Sequence, residues 1–494
     1  MKRVVSVENM RKSDKKTIEN KTPSLELMYR AGEGIFKSVK WGERNLIVCG
    51  SGNNAGDGYV VALLLKESGY DVELLLLTEE LSCDGAYYFN ICKEKNIKWS
   101  MYTGQDICGY GVILDCIFGT GFHGDVTGIS KEVIDKINKS GAYIVSADIN
   151  SGLNGDSGMG SVSVKSDLTV SIGTPKSGHY LNMAKDKIGK LVNVDIGIDI
   201  VDTPYLLVER EDASEFLGKR QGFSHKGTYG YITLIGGSLE YSGAIKLAGI
   251  SAVAMRSGAG VTKIAAPRSI CESVLPYVLE STLYPLDERD GSIKFNEKQI
   301  QGALNGVKAV AIGMGMGQKG DNEKIIEYVL NNYGLPVVID ADGLNTLARM
   351  DKDIVRKSDC SVILTPHLKE LERLCGVPIS TIQENPIYYA KEFARDIGAV
   401  VLLKGTSTII TDGNQVLITT TGCAGMATAG SGDVLSGIIA ALCASHTDPF
   451  LSAAVGAYIN GYAGEIAQKE YGSISMVASD TAKSVARAIM QITE

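Results

Sequence analysis

The stretch NLIVCGSGNNAGDGYVVALLLKESGYDVELLLL, residues 45–77, decides the fold. NLIVCG (45–50) is a short apolar run closed by glycine and reads as a buried strand. GYVVALLLKESG (58–69) has helical spacing and also ends at glycine, and DVELLLL (71–77) is a second apolar run. A strand, a helix and a strand in about 30 residues form a βαβ unit, which requires parallel strands. Further strands are expected at 111–119, 142–149, 166–173 and 190–197. The pattern then breaks over 198–226, a charged stretch of poor periodicity, so a domain boundary is expected near 205–220, with domains at 1–210 and 220–494. A second series of strands is expected at 231–238, 261–267, 307–315, 335–342, 361–366 and 399–405, and a hairpin turning at Asp412-Gly413. Between the first two of these strands, Ala244, Leu247, Ala248, Ser251, Ala252 and Met255 share one helical face, and Gly258 to Gly260 end the run. The chain is α/β throughout.

Composition narrows the function class. A 44% hydrophobic content over 494 residues supplies sizeable cores. The net charge of −8 argues against general nucleic-acid binding, yet leaves room for a local basic pocket that holds a phosphorylated small molecule. No apolar run approaches the ~20 residues that span a bilayer, so no membrane association is expected. The basic start MKRVVSVENMRKSDKKT lacks the apolar core of a secretory signal. The ten cysteines are scattered, without a CxxC pair, as expected of reduced thiols in a cytoplasmic protein. The five histidines stand apart from them, so no zinc site is expected.

Three expected strand ends in the first half carry polar residues. GSGNNAGDG (50–58) stands at a strand-to-helix turn, where backbone NH groups and the helix N-terminus favour an anion, although it is neither GxGxxG nor a P-loop. A plain capped turn, with Asp57 as N-cap, is the alternative. LDCIFGTGFHGDVTG puts Asp115 inside an apolar run, a costly position unless the carboxylate is paired or meets a cation. SADINSGLNGDSG puts Asp148 and Ser151 at a third strand end. In open α/β sheets ligands bind at such carboxyl ends, so the three turns are expected to line one crevice.

These residues carry a resemblance. NNAGDG, LDCIFGTGFHGD and DINSGLNGDSG resemble the motifs of the NAD(P)H-hydrate epimerase domain, with a Rossmann-like three-layer αβα fold, over the first ~200 residues. Ala55 replaces a glycine of the family, and Asn150 replaces its usual proline, which predicts a looser turn. The resemblance implies a potassium ion held by Asn54, Asp115 and Ser151. It also implies that the damaged dinucleotide contacts Asn53, Asn54, Ala55, Gly56 and Asp57, then Gly119, Thr120, Gly121, Phe122, His123, Gly124 and Asp125, and Asp148. Asp148 is the candidate acid/base for inverting C6 of the hydrated ring.

In the second half GMATAGSGDVLSG (425–437) places one charged residue, Asp433, among small residues where an apolar helix begins. Asp433 is either an N-cap or a base that orients a hydroxyl toward a phosphoryl group. LLKGTSTII ends a strand with Lys404 and Gly405, suited to phosphates, while GMGMGQ (313–318) and LTPHLKE, with His367, end two more. The GxGD pattern resembles the ribokinase-like αβα fold. KGTYG, YSGAIKLAGISAVAMRSGAGVTK, IGMGMGQ, DADGLN, LTPHLKE, LLKGTSTII and GMATAGSGDVLSG, in that order, are similar to its NAD(P)H-hydrate dehydratase branch. Departures are Leu368-Lys369 for Pro-Gly, and Ala429 and Ser431 for Gly and Thr.

The resemblance implies ADP-dependent dehydration in which Asp433 activates the C6 hydroxyl and amides of Gly430 to Gly432 stabilise phosphoryl charge. It implies a nucleotide site of Lys404, Gly405, Thr406, Ser407, Thr408, Cys423, Gly425, Met426, Ala427, Thr428, Ala429, Gly430, Ser431 and Gly432. Ala244, Gly313, Gly315, Gly317 and His367 join Asp433 in holding the hydrate. Mg²⁺ is expected to screen the phosphates. The implied function is nicotinamide nucleotide repair, with R/S epimerisation feeding a dehydratase that consumes ADP and releases AMP and phosphate; a homo-oligomer is expected. The rival readings are an ATP-dependent vitamin or sugar hydroxyl kinase with an accessory N-terminal domain, and a nucleotide-sensing module without turnover.

Overall fold

The computed structural model describes residues 1–250 and 256–494. It divides into two compact units, Arg3–Tyr205, and Leu206–Glu494 together with Met1–Lys2. In the second unit the Met1 ammonium donates to Asp212 at 2.6 Å and Lys2 pairs with Glu209 at 2.7 Å.

The first unit is built on strands β1 (Arg44–Cys49), β2 (Asp71–Leu76), β3 (Lys98–Met101), β4 (Val112–Cys116), β5 (Tyr143–Ala147), β6 (Ser166–Ile172) and β7 (Ile188–Val194). They lie in the order β3-β2-β1-β4-β5-β6-β7, and neighbours are parallel. Alternation along β1 makes the layers. Ile47 packs with Leu74, Leu114 and the helix residues Val60 and Val61 on one face. Leu46 and Val48 pack with Ile113 and the helix residues Val133, Ile134 and Ile137 on the other. With both faces covered, the strands read as near-continuous apolar runs. The strand order reverses between β1 and β4, and there the glycine-rich turns gather.

The second unit carries β8 (Tyr231–Ile235), β9 (Val261–Pro267), β10 (Thr282–Leu286), β11 (Ala309–Ile312), β12 (Val337–Ile339), β13 (Val362–Leu364), β14 (Val400–Leu403), β15 (Thr408–Thr411) and β16 (Val416–Thr419). Their order is β16-β15-β14-β13-β12-β11-β8-β9-β10. The strands are parallel from β14 to β10, and β15 and β16 form the antiparallel hairpin expected at Asp412-Gly413. The helix Ser431–Ser445 is buried all round. Leu435, Ile439 and Cys443 face the core with Ile232 and Leu234 of β8, whereas Val434, Ile438 and Leu442 face Ile459, Ala463 and Val485 of the helices Pro449–Tyr471 and Ala478–Thr493. That explains the unbroken apolar run after Asp433. Both units have the three-layer αβα arrangement.

Some expectations shift. The first βαβ helix is Asn53–Glu67 and starts five residues earlier than its apolar pattern, so Asp57 lies inside it and the N-cap is Gly52. The helix after β8 spans Ser242–Gly249; Ile245, Ala248 and Gly249 are its buried residues, and Ala244 and Leu247 are partly exposed. Ser251, Ala252 and Met255, expected on the same face, lie outside the described residues. Asn150 does not loosen its turn. Fully buried, it donates to Val164 O, Ser166 Oγ and Lys187 O at 2.9–3.0 Å and accepts from Thr169 Oγ1 at 2.5 Å.

Candidate functional site

In the first unit the turns after β1, β4 and β5 open onto one cavity of ≈ 520 Å³. Asn53, Asn54, Asp57, Gly119, Thr120, Gly121, Phe122 and Asp148 line it, as expected, and Asp14 and Lys176 join them. The other expected contacts fall elsewhere. Ala55 is buried in the core, and Gly56 faces Met28 and Gly85 so closely that a Cβ would lie 2.4 Å from the Met28 sulfur. His123, Gly124 and Asp125 lie beyond the lining, and Asp125 accepts from Ser161 Oγ at 2.9 Å.

Asp148 has φ +59, a left-handed conformation that aspartate tolerates better than most residues. The arrangement around it holds that backbone in place. The Lys176 ammonium, only 2% exposed, donates to Asp148 Oδ1 at 2.6 Å and to Ile172 O at 2.8 Å. His179 Nε2 lies 2.6 Å from Asp148 O, and its Nδ1 accepts from Lys176 N at 2.9 Å. Burial works to raise the Asp148 carboxyl, but Lys176 overrides it and leaves the group below its ordinary range. Burial drives Asp57 well above that range and lifts Asp14 to about 6. His179 is pushed down to about 4 by burial, then by Lys176.

Beneath the cavity, Asp115 and Ser151 are fully buried. Asp115 accepts from Ser151 Oγ at 2.5 Å, Ser151 N and Ser146 Oγ at 2.9 Å and Ile117 N at 3.2 Å. Ser151 Oγ accepts from Phe118 N at 2.8 Å. Asn54 Nδ2 donates to Phe118 O at 3.0 Å, while its buried Oδ1 has no donor. Burial raises the Asp115 carboxyl, and no cationic side chain among the described residues pairs with it. An unpartnered amide oxygen, a buried carboxylate and a hydroxyl make an oxygen set that suits a hard cation.

In the second unit the groups meet at the ends of β8, β11, β12 and β14. Asp433 is the third residue of the helix Ser431–Ser445 and caps nothing; the N-cap is Gly430, at φ +96. A Cβ on Gly430 would stand 2.4 Å from Leu247, and one on Gly315 would stand 2.8 Å from Ala244, so the helix Ser242–Gly249 adjoins both loops. Lys404 Nζ donates to Asp340 Oδ1 at 2.9 Å and lies 3.8 Å from Glu370. Ser436 Oγ donates to Asp340 Oδ2 at 2.7 Å and ties the strand end to the helix. A Cβ on Gly432 would come within 3.3 Å of both Asp340 Oδ2 and Lys404 Nζ, so the helix start, the lysine and the acid form one cluster. Burial, followed by the Asp340 charge, lifts Asp433 to about 7. The Lys404 ammonium, overriding burial, holds Asp340 below its ordinary range.

His367, half-exposed, caps the helix Leu368–Cys375 by accepting from Lys369 N and Glu370 N, and Glu370 accepts from His367 N at 2.8 Å. The loop therefore closes with Leu368-Lys369 in place of Pro-Gly. Gly317 N donates to Asp342 at 2.8 Å and fixes the Gly313–Gly317 loop. The Cys423–Met426 segment lies on the helix Pro449–Tyr471, since Gly425 N donates to Gln468 at 3.0 Å. Ser431 Oγ donates to Met426 O at 2.8 Å and joins that segment to the helix start.

Sequence reasoning gave no role to Asp14, Lys176, Asp340 or Glu370. Lys176 stands in the turn that follows an apolar strand, in SIGTPKSG, a signal of the kind that marked Asp148. Asp340 opens DADGLN at another strand end. Asp14 sits in MRKSDKKT, a charged helix face that carries no comparable signal.

A family model described as NAD(P)H-hydrate dehydratase matches residues 232–487, and one described as YjeF-related protein N-terminus matches residues 24–178. The bifunctional NAD(P)H-hydrate repair enzyme of Moorella thermoacetica is 34% identical over 93% of this chain and 91% of its own. The chain belongs to the bifunctional NAD(P)H-hydrate repair enzymes. The Escherichia coli K12 enzyme of that name is 32% identical over 94% of this chain and 89% of its own. Among solved structures, the ADP/ATP-dependent NAD(P)H-hydrate dehydratase of Bacillus subtilis, co-crystallised with ATP/Mg²⁺, is 31% identical with a TM-score of 0.50, covering 58% of this chain and 99% of that one. The family supports repair over a kinase with an accessory domain.

Proposed function

We propose that the first unit interconverts the R and S epimers of hydrated NADH or NADPH, and that the second dehydrates the S epimer at the expense of ADP. The observation that carries the second half is Asp433: one partly buried carboxyl, lifted to about 7, at a helix N-terminus beside the Lys404–Asp340 pair. A base poised near neutrality suits an alcohol that must lose its proton as it attacks phosphorus.

Asp433 takes the proton of the C6 hydroxyl, and the hydroxyl oxygen accepts the terminal phosphoryl group of ADP, leaving AMP. Amides of Gly430 to Gly432 face the developing phosphoryl charge. Phosphate then departs with the C6–O electron pair as the N1 lone pair forms the C6–N1 double bond. Loss of the C5 proton to the departing phosphate restores the dihydropyridine. Lys404 to Thr408 and Cys423 to Gly432 hold the nucleotide, while Ala244, the Gly313–Gly317 loop and His367 hold the hydrate. Magnesium would screen the charge of the phosphates, and among the described residues no group of three carboxylate, histidine or cysteine ligands could hold it, so phosphates and water would supply most of its ligands.

In the first unit, Asn54, Asp115 and Ser151 fit a potassium ion through the unpartnered Asn54 Oδ1 and the buried Asp115 charge. The ion would supply positive charge beneath the dinucleotide. Asn53, Asn54, Asp57 and the Gly119–Phe122 turn bind the dinucleotide above it, and Asp148, ionised against Lys176, is the base for the hydroxyl at C6.

The test is recovery of absorbance at the reduced-nicotinamide band when the chain meets a mixture of hydrated NADH epimers and ADP. Full recovery is expected with ADP. Recovery of only one epimer overturns the epimerase half. No recovery, together with ATP-dependent phosphorylation of a vitamin alcohol, overturns the dehydratase half in favour of a kinase.

A further inference from the structure

Four carboxyls and one buried ammonium share the cavity of the first unit, each from a different element. Asp57 comes from the helix Asn53–Glu67, Asp84 from the first turn of the helix Cys83–Glu94, Asp148 from the turn after β5, Lys176 from the turn after β6, and Asp14 from the helix Val7–Asn20. Asp14 precedes residues 24–178, the range of the N-terminal family match, and no candidate set drawn from the motifs contains it. The four acids differ in surroundings, Asp84 lying partly exposed at the start of its helix. Asp57 is buried to 9% exposure inside its helix. Asp148 is locked to Lys176 at 2.6 Å. Asp14 is partly exposed at the cavity wall, and among the described residues it has neither an ion pair nor a hydrogen bond to hold it in one protonation state.

We propose that Asp14 is the proton donor of the epimerase, the acid partner of the Asp148 base. The assignment rests on the epimerase reading of this cavity. Inversion at C6 then balances as a ring opening. Asp148 takes the proton of the C6 hydroxyl, that oxygen becomes the aldehyde, and the C6–N1 bond breaks with its electron pair passing to N1. Asp14 protonates N1. Rotation about C5–C6 presents the opposite face of the aldehyde, N1 attacks it while returning its proton to Asp14, and Asp148 returns a proton to the oxygen. No oxidant, reductant or second substrate takes part. Two carboxyls whose environments push them apart give the acid and the base of such a step. Burial favours the neutral form of Asp14, with the Asp148 charge in the same direction and Lys176 opposing. Lys176 overrides burial to keep Asp148 ionised. Asp57 faces the same space and is pushed toward its neutral form by burial and the neighbouring acids.

The second activity of the chain is the internal control. A mixture of hydrate epimers with ADP is followed in wild type, Asp14→Asn and Asp14→Glu full-length chains. In Asp14→Asn the S fraction is expected to be repaired at the wild-type rate while R-to-S conversion falls about 100-fold or more in kcat with KM little changed. Asp14→Glu restores part of it. The wild-type kcat/KM for R-to-S conversion falls as pH rises through about 6, where Asp14 loses its proton, and this limb is missing in Asp14→Asn. Wild-type R-to-S rates in Asp14→Asn, or an unchanged alkaline limb, overturn the assignment. A loss that Asp14→Glu does not relieve, accompanied by a lowered melting temperature, shows a structural role and overturns it as well. A wild-type chain that leaves the R epimer untouched overturns the epimerase reading itself.

Discussion

Asp433 carries two opposed properties. Its carboxyl is lifted from an ordinary 3.8 to about 7 by burial and the Asp340 charge, so the folded chain penalises the ionised form that the chemistry uses. The favourable contribution is fully present below the unfolded value and is lost as pH rises through about 7. Asp433→Asn keeps the shape without the charge. It is expected to melt above wild type, by a margin that grows from about pH 4 to about pH 7 and then levels, and to lose dehydratase activity by about 100-fold or more. Melting curves at pH 4, 6 and 8 check the first outcome, and ADP-dependent recovery of the S hydrate checks the second. Asp433 was legible in the sequence because a lone acid among small residues has few structural uses. The partner that sets its charge was not. Asp340 lies at the end of VVID, where an apolar run hides whether the acid will meet Lys404, 64 residues later, or water.

Between elements, Asn150 stitches the turn after β5 to four residues, Val164, the β6 residues Ser166 and Thr169, and Lys187 just ahead of β7. Asn150→Ala removes the donor to the Val164 and Lys187 carbonyls and the partner of the Ser166–Thr169 hydroxyl pair, and a loss of about 2–4 kcal/mol in the stability of the first unit is expected. Urea denaturation measures it, and R-to-S conversion should fall further than S dehydration. Asn150→Pro, the residue usual in the family, should do no better, because proline supplies neither the amide donor nor the oxygen. The turn was misjudged from sequence because Pro-to-Asn reads as lost rigidity when its new partners are distant in the chain. Buried strands such as β1, β2 and β4 were legible as apolar runs. The edge strands β3 and β10 were not: KWSM is partly exposed, and TLYPL contains Pro285, which an edge tolerates. The start of the first helix was missed since NNAGD lacks the apolar spacing that marked the rest.

Over the whole molecule, each unit draws its proposed catalytic groups from its own sheet and its own helices. Asp14, Asp148 and Lys176 belong to Arg3–Tyr205, and Asp340, Lys404 and Asp433 belong to the other unit. The two sites are therefore expected to fail separately. Asp433→Asn should keep R-to-S conversion, and Asp14→Asn should keep S dehydration, as read by chiral separation of the hydrates before and after ADP is added. A practical corollary follows for the test tube. Two preparations, each crippled on one side, rescue each other when poured together, because the epimer released by one protein diffuses freely to the other, and the blend heals both forms of the spoiled coenzyme that neither preparation clears alone.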